Sequence, residues 1–285
     1  MFSAQRIRLY AWLSLASQIL IVVTGGLVRL TGSGLGCPTW PKCTDDSLIT
    51  VPEMGLHGAI EFGNRLLTFV LIIIALLTFI TVMRLGRGNR KGLVWPSLAL
   101  GLGIVAQALL GGITVLTGLN PWVVGAHFVV SGILIAIAAM LVWRVYKPSE
   151  SSKSNRTGLS WLVLVVGWIS VLVGIVVTGA GPHAGDAKTP RNGLDLEIWQ
   201  HLHSYPGYLM LALIVLQLWL SRKELAKLSS KITAGLFVAS VIQAIIGVAQ
   251  ARLGVPPFLV AAHMLGASVI IALLTFNLVA NKSSK

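Results

Sequence analysis

Two stretches of this sequence can be laid on each other, and together they decide the fold. "QALLGGITVLTGLNPWVVGAH" spans Gln107–His127, and "QAIIGVAQARLGVPPFLVAAH" spans Gln243–His263. The glutamine, one glycine, one proline and the final histidine coincide at a constant offset. Self-similarity at a fixed spacing is the signature of an internal repeat. We therefore expect a tandem duplication of one structural unit.

The repeat extends beyond these stretches and sets the expected domain boundaries. "VVTGG" at 22–26 corresponds to "VVTGA" at 176–180. The two units are expected at residues 1–146 and 159–285, joined by a polar cytoplasmic linker at 147–158. An even number of spans in each unit gives both units the same orientation in a membrane. This disfavours a transporter built from inverted repeats.

The composition is typical of an integral membrane protein. Of the 285 residues, 55% are hydrophobic and 11% are charged, about half the charged fraction of a soluble domain. Apolar runs near the roughly 20 residues needed to cross a bilayer predict eight transmembrane helices, as two tandem parallel four-helix bundles. The predicted spans are Tyr10–Val28, Phe62–Met83, Leu93–Leu116, Trp122–Trp143, Trp161–Gly179, His201–Leu220, Ile232–Gln250 and Pro257–Val279.

The positive charge is distributed by topology. The net charge is +13, and 16 of the 22 basic residues fall at one end of the predicted spans. Cytoplasmic loops carry such an excess, so this face and both termini are expected in the cytoplasm. The pattern indicates contact with membrane lipid and argues against nucleic acid. The 16 residues at this end are Arg6, Arg8, Arg84, Arg87, Arg90, Lys91, Arg144, Lys147, Lys153, Arg156, Arg222, Lys223, Lys227, Lys231, Lys282 and Lys285.

Histidines gather at the opposite, extracytoplasmic ends of the spans. His127 and His263 occupy equivalent repeat positions, and His203 lies at similar depth in the sixth span. Two imidazoles from facing helices form a natural haem-iron site, whereas zinc needs three or four close donors. His201 and His203 lie roughly 200° apart around a helix, so only one can face the bundle. The repeat favours His203.

The first half departs from this pattern at Asn64. An amide is a poor ligand for haem iron, so His57 on the same helix face is the alternative second ligand, or His127 acts alone. Glu61 suits a proton-relay carboxylate beside a reacting haem or an ion pair with Arg65.

Two arginines and two cysteines complete the first-half candidates. Arg29 and Arg65 are placed either to contact haem propionates or to reach the interface as simple anchors. Cys37 and Cys43 lie in the first outer loop, where an oxidising compartment favours a disulfide. The glycines and prolines of that loop would let a compact cap form over the first site.

At these residues the sequence resembles the haem A synthase family. "GGLVRLTGSGLGCPTWPKC" (Gly25–Cys43) is similar to its first-loop signature, and "TGAGPHAGD" (Thr178–Asp186) to its second-half counterpart. The resemblance implies a resident haem b on His203 and His263, with haem O as substrate on His127. A ring methyl of haem O would become the formyl group of haem A, for cytochrome oxidase maturation, with Glu61 as catalytic residue.

The family usually reads Glu-x-x-His-Arg where this chain reads Glu61-Phe-Gly-Asn64-Arg65. The asparagine form is typical of actinobacterial-type members, which implies a different ligation at the first site rather than an inactive protein. The resemblance also implies a bacterial cell (inner) membrane protein. Beyond haem O, the partners that it suggests are a haem O-producing prenyltransferase, an electron donor and a second copy of the chain.

Two other classes of function compete with this interpretation. A di-haem b electron-transfer protein would require four good ligands in two complete pairs, and both haems would lie on one side of the membrane. A transporter or haem-delivery scaffold would require polar residues that continue toward the cytoplasmic half of the spans. Gln107 and Gln243 are the main candidates for such a path, and they are few.

Overall fold

The structure, a computed structural model, describes residues 4–86, 88, 91–146 and 157–282. Within these ranges it contains eight helices long and apolar enough to cross a membrane, and no β-strand. This confirms the prediction of an all-helical, multi-pass protein. The helices are α1 (Ala4–Leu30), α2 (Gly55–Met83), α3 (Val94–Leu116), α4 (Pro121–Tyr146), α5 (Thr157–Ala180), α6 (Leu196–Leu220), α7 (Leu228–Arg252) and α8 (Pro257–Asn281).

Local chemistry sets the helix ends near the candidate residues. A short turn at Pro52–Met54 leads into α2, which begins at Gly55 rather than at the predicted Phe62. Gly55 has φ +55°, a conformation that favours glycine. Asp195 caps α6, because its carboxylate accepts a 2.8 Å hydrogen bond from the Ile198 N–H. His57, Glu61 and the α6 histidines therefore all lie within helices.

The helices can be divided by their order and contacts into two sets of four, which also touch each other. In the first set, α1–α4, α1 and α3 each contact both α2 and α4. In the second set, α5–α8, α5 and α7 each contact both α6 and α8. The sets meet where α8 contacts α1 and α4, and where α4 contacts α5. Residues 147–156 of the linker predicted at 147–158, together with Arg87, Arg90 and Lys285, lie outside the described residues; the rest of that linker, 157–158, belongs to α5.

A buried polar layer crosses the second set at the end opposite its histidines. Gln217 Nε2 donates to Ser160 Oγ and to Asn277 Oδ1, both at 3.1 Å. Thr233 Oγ1 donates to the same Asn277 oxygen at 2.7 Å. These residues come from all four helices of the set, and the network satisfies them away from water. At the same end of the first set, Ser14 and Thr78 form a smaller pair at 3.1 Å.

Candidate functional site

His203 on α6 and His263 on α8 face each other. Their ring centroids are 6.2 Å apart, with 72° between the ring planes. Imidazoles on opposite sides of one metal ion, with bonds of about 2 Å, have centroids about 6 Å apart. The Nδ1 atoms of both rings are buried. By distance and angle neither has a hydrogen-bond partner among the described residues, although the His203 ring lies beside the Ser170 backbone. His201 is exposed, so the structure brings His203 rather than His201 to His263.

Two glycines form the walls against which these rings lie. A methyl group added to Gly174 of α5 would lie 2.9 Å from His203 Cε1. One added to Gly247 of α7 would lie 3.1 Å from His263 Cε1. A larger residue at either position would displace the imidazole. Gly247 is visible in the repeat, whereas Gly174 carries no signal in the sequence that marks it as a site residue.

His127 on α4 occupies the equivalent position in the first set. Its Nδ1 is buried and unpaired, and Asn64 of α2 likewise has a buried, unpaired Oδ1. Gly111 lies beside the His127 ring, where an added methyl would be 3.5 Å from Cε1. His57 is exposed and its Nδ1 lies 2.9 Å from Ser33 Oγ in the outer loop. At the positions that correspond to His263 and His203, the first set therefore offers one imidazole and one amide.

Glu61, on α2, binds the backbone of the first outer loop. The side chain is 7% exposed, and its Oε2 accepts a 2.7 Å hydrogen bond from the Cys37 N–H. Its Oε1 accepts from Arg65 Nη2 at 2.6 Å. Cys37 and Cys43 are joined by a disulfide, which closes this loop. We call residues 37–43 the cap.

Arg65, one turn further along α2, binds the backbone of the same cap. Its guanidinium donates to the carbonyl oxygen of Cys37 at 2.9 Å and to those of Thr39 and Lys42 at 3.2 Å. Together with the Glu61 bonds, these contacts engage all three guanidinium nitrogens. The sequence identified Glu61 and Arg65 as a pair but gave no sign that both bind the backbone of the cap.

The cap also reaches α3 through Trp40. Its indole lies so close to the Gly112 backbone that an added methyl group would overlap the ring. Gly112 directly follows Gly111, which borders His127. In the repeat, Val248 corresponds to Gly112. Its side chain would occupy the space that an indole fills beside Gly112 in the first set. The cap thus spans from α2 to α3 beside the first-set histidine.

Arg29, at the end of α1, binds backbone carbonyls at the end of α5 and in the loop that follows it, and so connects the two sets. Its Nη2 donates to the Thr178 carbonyl at 2.7 Å, and its Nε donates to the His183 carbonyl. The Gly34 N–H donates to the Gly185 carbonyl at 2.8 Å alongside. The loop after α5 is therefore docked on the end of α1.

A comparison with known proteins places this arrangement in a family. Residues 8–275 match the family model COX15-CtaA, described as cytochrome oxidase assembly protein. The chain belongs to the COX15-CtaA family. This confirms the resemblance in the outer-loop motifs.

Relatives of this COX15-CtaA protein carry the name Heme A synthase. The protein of Lysinibacillus sphaericus is 35% identical over 185 residues, which cover 62% of this chain and 58% of that protein. The protein of Listeria welshimeri is 22% identical over 289 residues, covering 95% and 93%. The protein of Bacillus pumilus is 30% identical over 183 residues, covering 61% and 57%.

The candidate ligands in this family member suit haem iron, because the porphyrin ring already supplies four of the iron's ligands. Among the described residues, no group of three or more His, Cys, Asp or Glu side chains could hold a bare metal ion. Haem iron needs only one or two axial side chains. The spacing of the His203 and His263 rings and their buried Nδ1 atoms fit that requirement.

Proposed function

We propose that this protein is a haem A synthase, which oxidises a ring methyl of haem O to the formyl group of haem A during cytochrome oxidase assembly. The observation that carries the proposal is the pairing of a two-histidine site with a second, one-histidine site beneath a clamped cap. Relatives named Heme A synthase support the choice of substrate. The di-haem carrier is disfavoured because Asn64 stands where its fourth ligand would be.

In this proposal His203 and His263 are the axial ligands of a resident haem b. Their centroid distance of 6.2 Å and their buried, unpaired Nδ1 atoms support the assignment. Gly174 and Gly247 would leave room for the two rings, because an added methyl group would lie only 2.9 Å or 3.1 Å, respectively, from a ring atom. When bound, haem b supplies electron transfer to the neighbouring site, since bis-histidine haem has no open coordination position.

His127 is the proposed axial ligand of the substrate haem O. Asn64 provides a weak donor on the facing helix, and His57 is exposed and engaged with Ser33. We therefore favour ligation by His127 alone over a second bond from His57. A substrate held by one side chain leaves more readily than one held by two, as turnover requires.

Glu61 is the proposed proton-relay carboxylate of this site. Oxidation of a methyl group to a formyl group breaks two C–H bonds and requires an external oxidant and redox partner. A buried carboxylate can carry protons to or from the reacting group. The Cys37 N–H and Arg65 fix the orientation of the Glu61 side chain. For the substrate propionates we favour Arg29 over Arg65. Among the described residues, Arg29 uses Nε and Nη2 to bind the His183 and Thr178 carbonyls, which leaves Nη1, whereas all three Arg65 nitrogens bind the cap and Glu61.

We further propose that the chain forms two tandem parallel four-helix bundles, at residues 1–146 and 159–285, in the bacterial cell membrane. The cyclic contacts within α1–α4 and within α5–α8 support this arrangement. The basic ends of the helices support cytoplasmic termini, and the disulfide supports haem sites on the extracytoplasmic side. A haem O-producing prenyltransferase, an electron donor and a second copy of the chain are the proposed partners.

The replacement Glu61→Gln tests the central chemical role. Glutamine keeps an oxygen that can accept from the Cys37 N–H, but its amide nitrogen cannot accept from Arg65 as Glu61 Oε1 does. Arg65 still binds the Cys37, Thr39 and Lys42 carbonyls of the cap, so the relay is lost while most of the cap contacts remain. We expect haem A formation to fall by about 10²–10⁴-fold, with haem b retained. The assay is chromatography of haems extracted from cells that also make haem O. Unchanged haem A in Glu61→Gln would reduce Glu61 to an anchor, and no haem A from the unaltered chain would refute the function.

A further inference from the structure

Each histidine that occupies the repeated position is touched by a glutamine from the facing helix. Gln107 Nε2 on α3 donates to the His127 carbonyl oxygen at 3.1 Å. Gln243 Nε2 on α7 donates to the His263 carbonyl oxygen at 2.9 Å. The two bonds join equivalent atoms in the two sets. A contact that occurs twice at corresponding positions is more than an incidental polar bond.

These bonds join two different helices and are additional to the regular backbone bonds within each helix. The histidine carbonyls lie inside α4 and α8, where backbone bonding already uses them, so the glutamine is an additional donor. In an apolar bundle a side-chain bond between helices fixes their relative rotation and height, because water cannot replace it. Each glutamine therefore constrains the backbone from which an imidazole projects.

A glycine one turn beyond each glutamine receives the ring. Gly111 follows Gln107 and borders His127; Gly247 follows Gln243 and borders His263 at closer range. The glutamine holds the backbone of the histidine while the glycine leaves room for its side chain. This division of roles explains why both residue types recur in the repeat.

The two glutamines are immobilised in different ways. Gln243 packs its amide oxygen against the backbone of Gly266, where an added methyl would overlap it. Gln107 instead donates to Ser131 Oγ, and that hydroxyl donates to the His127 carbonyl at 3.1 Å. The repeat places Ala267 opposite Ser131. The second set thus locks its glutamine by packing, and the first set by a hydrogen bond.

We propose that Gln107 and Gln243 are positioning residues, which orient the imidazoles of His127 and His263 toward iron by holding the carbonyl group of each histidine. The proposal rests on the haem ligation assigned above. It adds a function to two residues that a transporter hypothesis would have placed along a polar path. Neither glutamine needs to touch the haem for this role.

The test compares Gln243→Met with Gln107→Met in the full-length protein. Methionine keeps much of the volume but removes the amide donor. Loss of a group that orients a metal ligand costs about 10- to 100-fold in affinity. We expect Gln243→Met to weaken haem b retention by that factor and to shift the low-spin electron paramagnetic resonance signal of the remaining haem. Gln107→Met should leave haem b content and signal unchanged and lower the haem O bound per chain.

A merely structural role gives a different result. If Gln243 only joins two helices, Gln243→Met would lower thermal stability in detergent while the signal and retention of haem b stay as in the unaltered chain; that result overturns the proposal. Gln243→Glu is the second variant, which preserves the shape and restores a donor when its carboxyl is protonated. At the same pH, its haem b retention should exceed that of Gln243→Met, and retention equal to that of Gln243→Met would also overturn the proposal. Absence of haem b from the unaltered chain would instead refute the proposed function.

Discussion

The outer ends of the two helix sets differ more than their shared sequence pattern indicates. In α5–α8 two imidazoles face each other at 6.2 Å, and the adjoining loop is docked on Arg29 of the other set. In α1–α4 a single buried imidazole accompanies Asn64, and a disulfide-closed cap is fastened over α2 by Glu61 and Arg65. In the proposed function, the arrangement in α5–α8 suits a permanent cofactor, and the arrangement in α1–α4 suits a molecule that must leave.

The ends of the two sets opposite the histidines also differ, and the second set again has the more extensive polar contacts. The second set contains the buried network around Gln217 and Asn277, which joins all four of its helices. The first set has the Ser14–Thr78 pair at this level. A fully bonded polar layer in an apolar bundle favours one arrangement of helices. We infer that the first set is the more adaptable of the two.

Asn64→His should remove the largest part of this difference. It would place a second imidazole on α2, as His203 is placed on α6, so the substrate haem would gain a strong second ligand. We expect tighter retention of haem O and at least about 10-fold slower release, in line with the effect of ligand changes on metal affinity. The measurement is the haem O retained per chain after gel filtration. Asn64→Ala is the control, and it should not increase retention.

Asn277→Ala should destabilise the second set. The replacement removes the oxygen that accepts from both Gln217 and Thr233, and it removes the Asn277 amide that donates to Gln217 Oε1. Such a loss in a buried network costs about 3 kcal/mol in the free energy of unfolding. Haem b should then be lost at a lower temperature, which thermal release followed by absorbance would detect. Ser14→Ala, in the smaller pair of the first set, is the matched change. An equal effect of the two variants on haem b release would contradict the proposed difference in rigidity.

Gly112→Ala should lift Trp40 from α3 with a smaller effect. The added methyl overlaps the indole, and such overpacking costs about 2 kcal/mol. We expect altered tryptophan fluorescence and faster exchange of haem O, with haem b unaffected. Gly101→Ala on the same helix is the control, since an added methyl there meets no atom within 4 Å. If both variants exchange haem O at the same rate, the cap does not cover the first site.

Residue periodicity and the repeat were enough to predict the eight helices and to choose His203 over His201, because apolar length and helical angle are properties of local sequence. The contacts of Glu61 and Arg65 with the cap were not predictable, because they depend on how a loop folds back on α2. The Trp40–Gly112 and His203–Gly174 contacts were missed because close approach between helices leaves only a glycine in the sequence. Gln107 and Gln243 were visible, but their bonds to histidine carbonyls required the packing of facing helices.

The most direct test of the account is to count haem types in the purified protein and in its His263→Ala and His127→Ala variants. Haems extracted from each would be separated by chromatography, beside a reduced-minus-oxidised spectrum. The account predicts haem b with traces of haem O or haem A in the unaltered chain, loss of haem b in His263→Ala, and haem b alone in His127→Ala. Two equivalents of haem b in the unaltered chain, or equal loss of haem b in both variants, would contradict it.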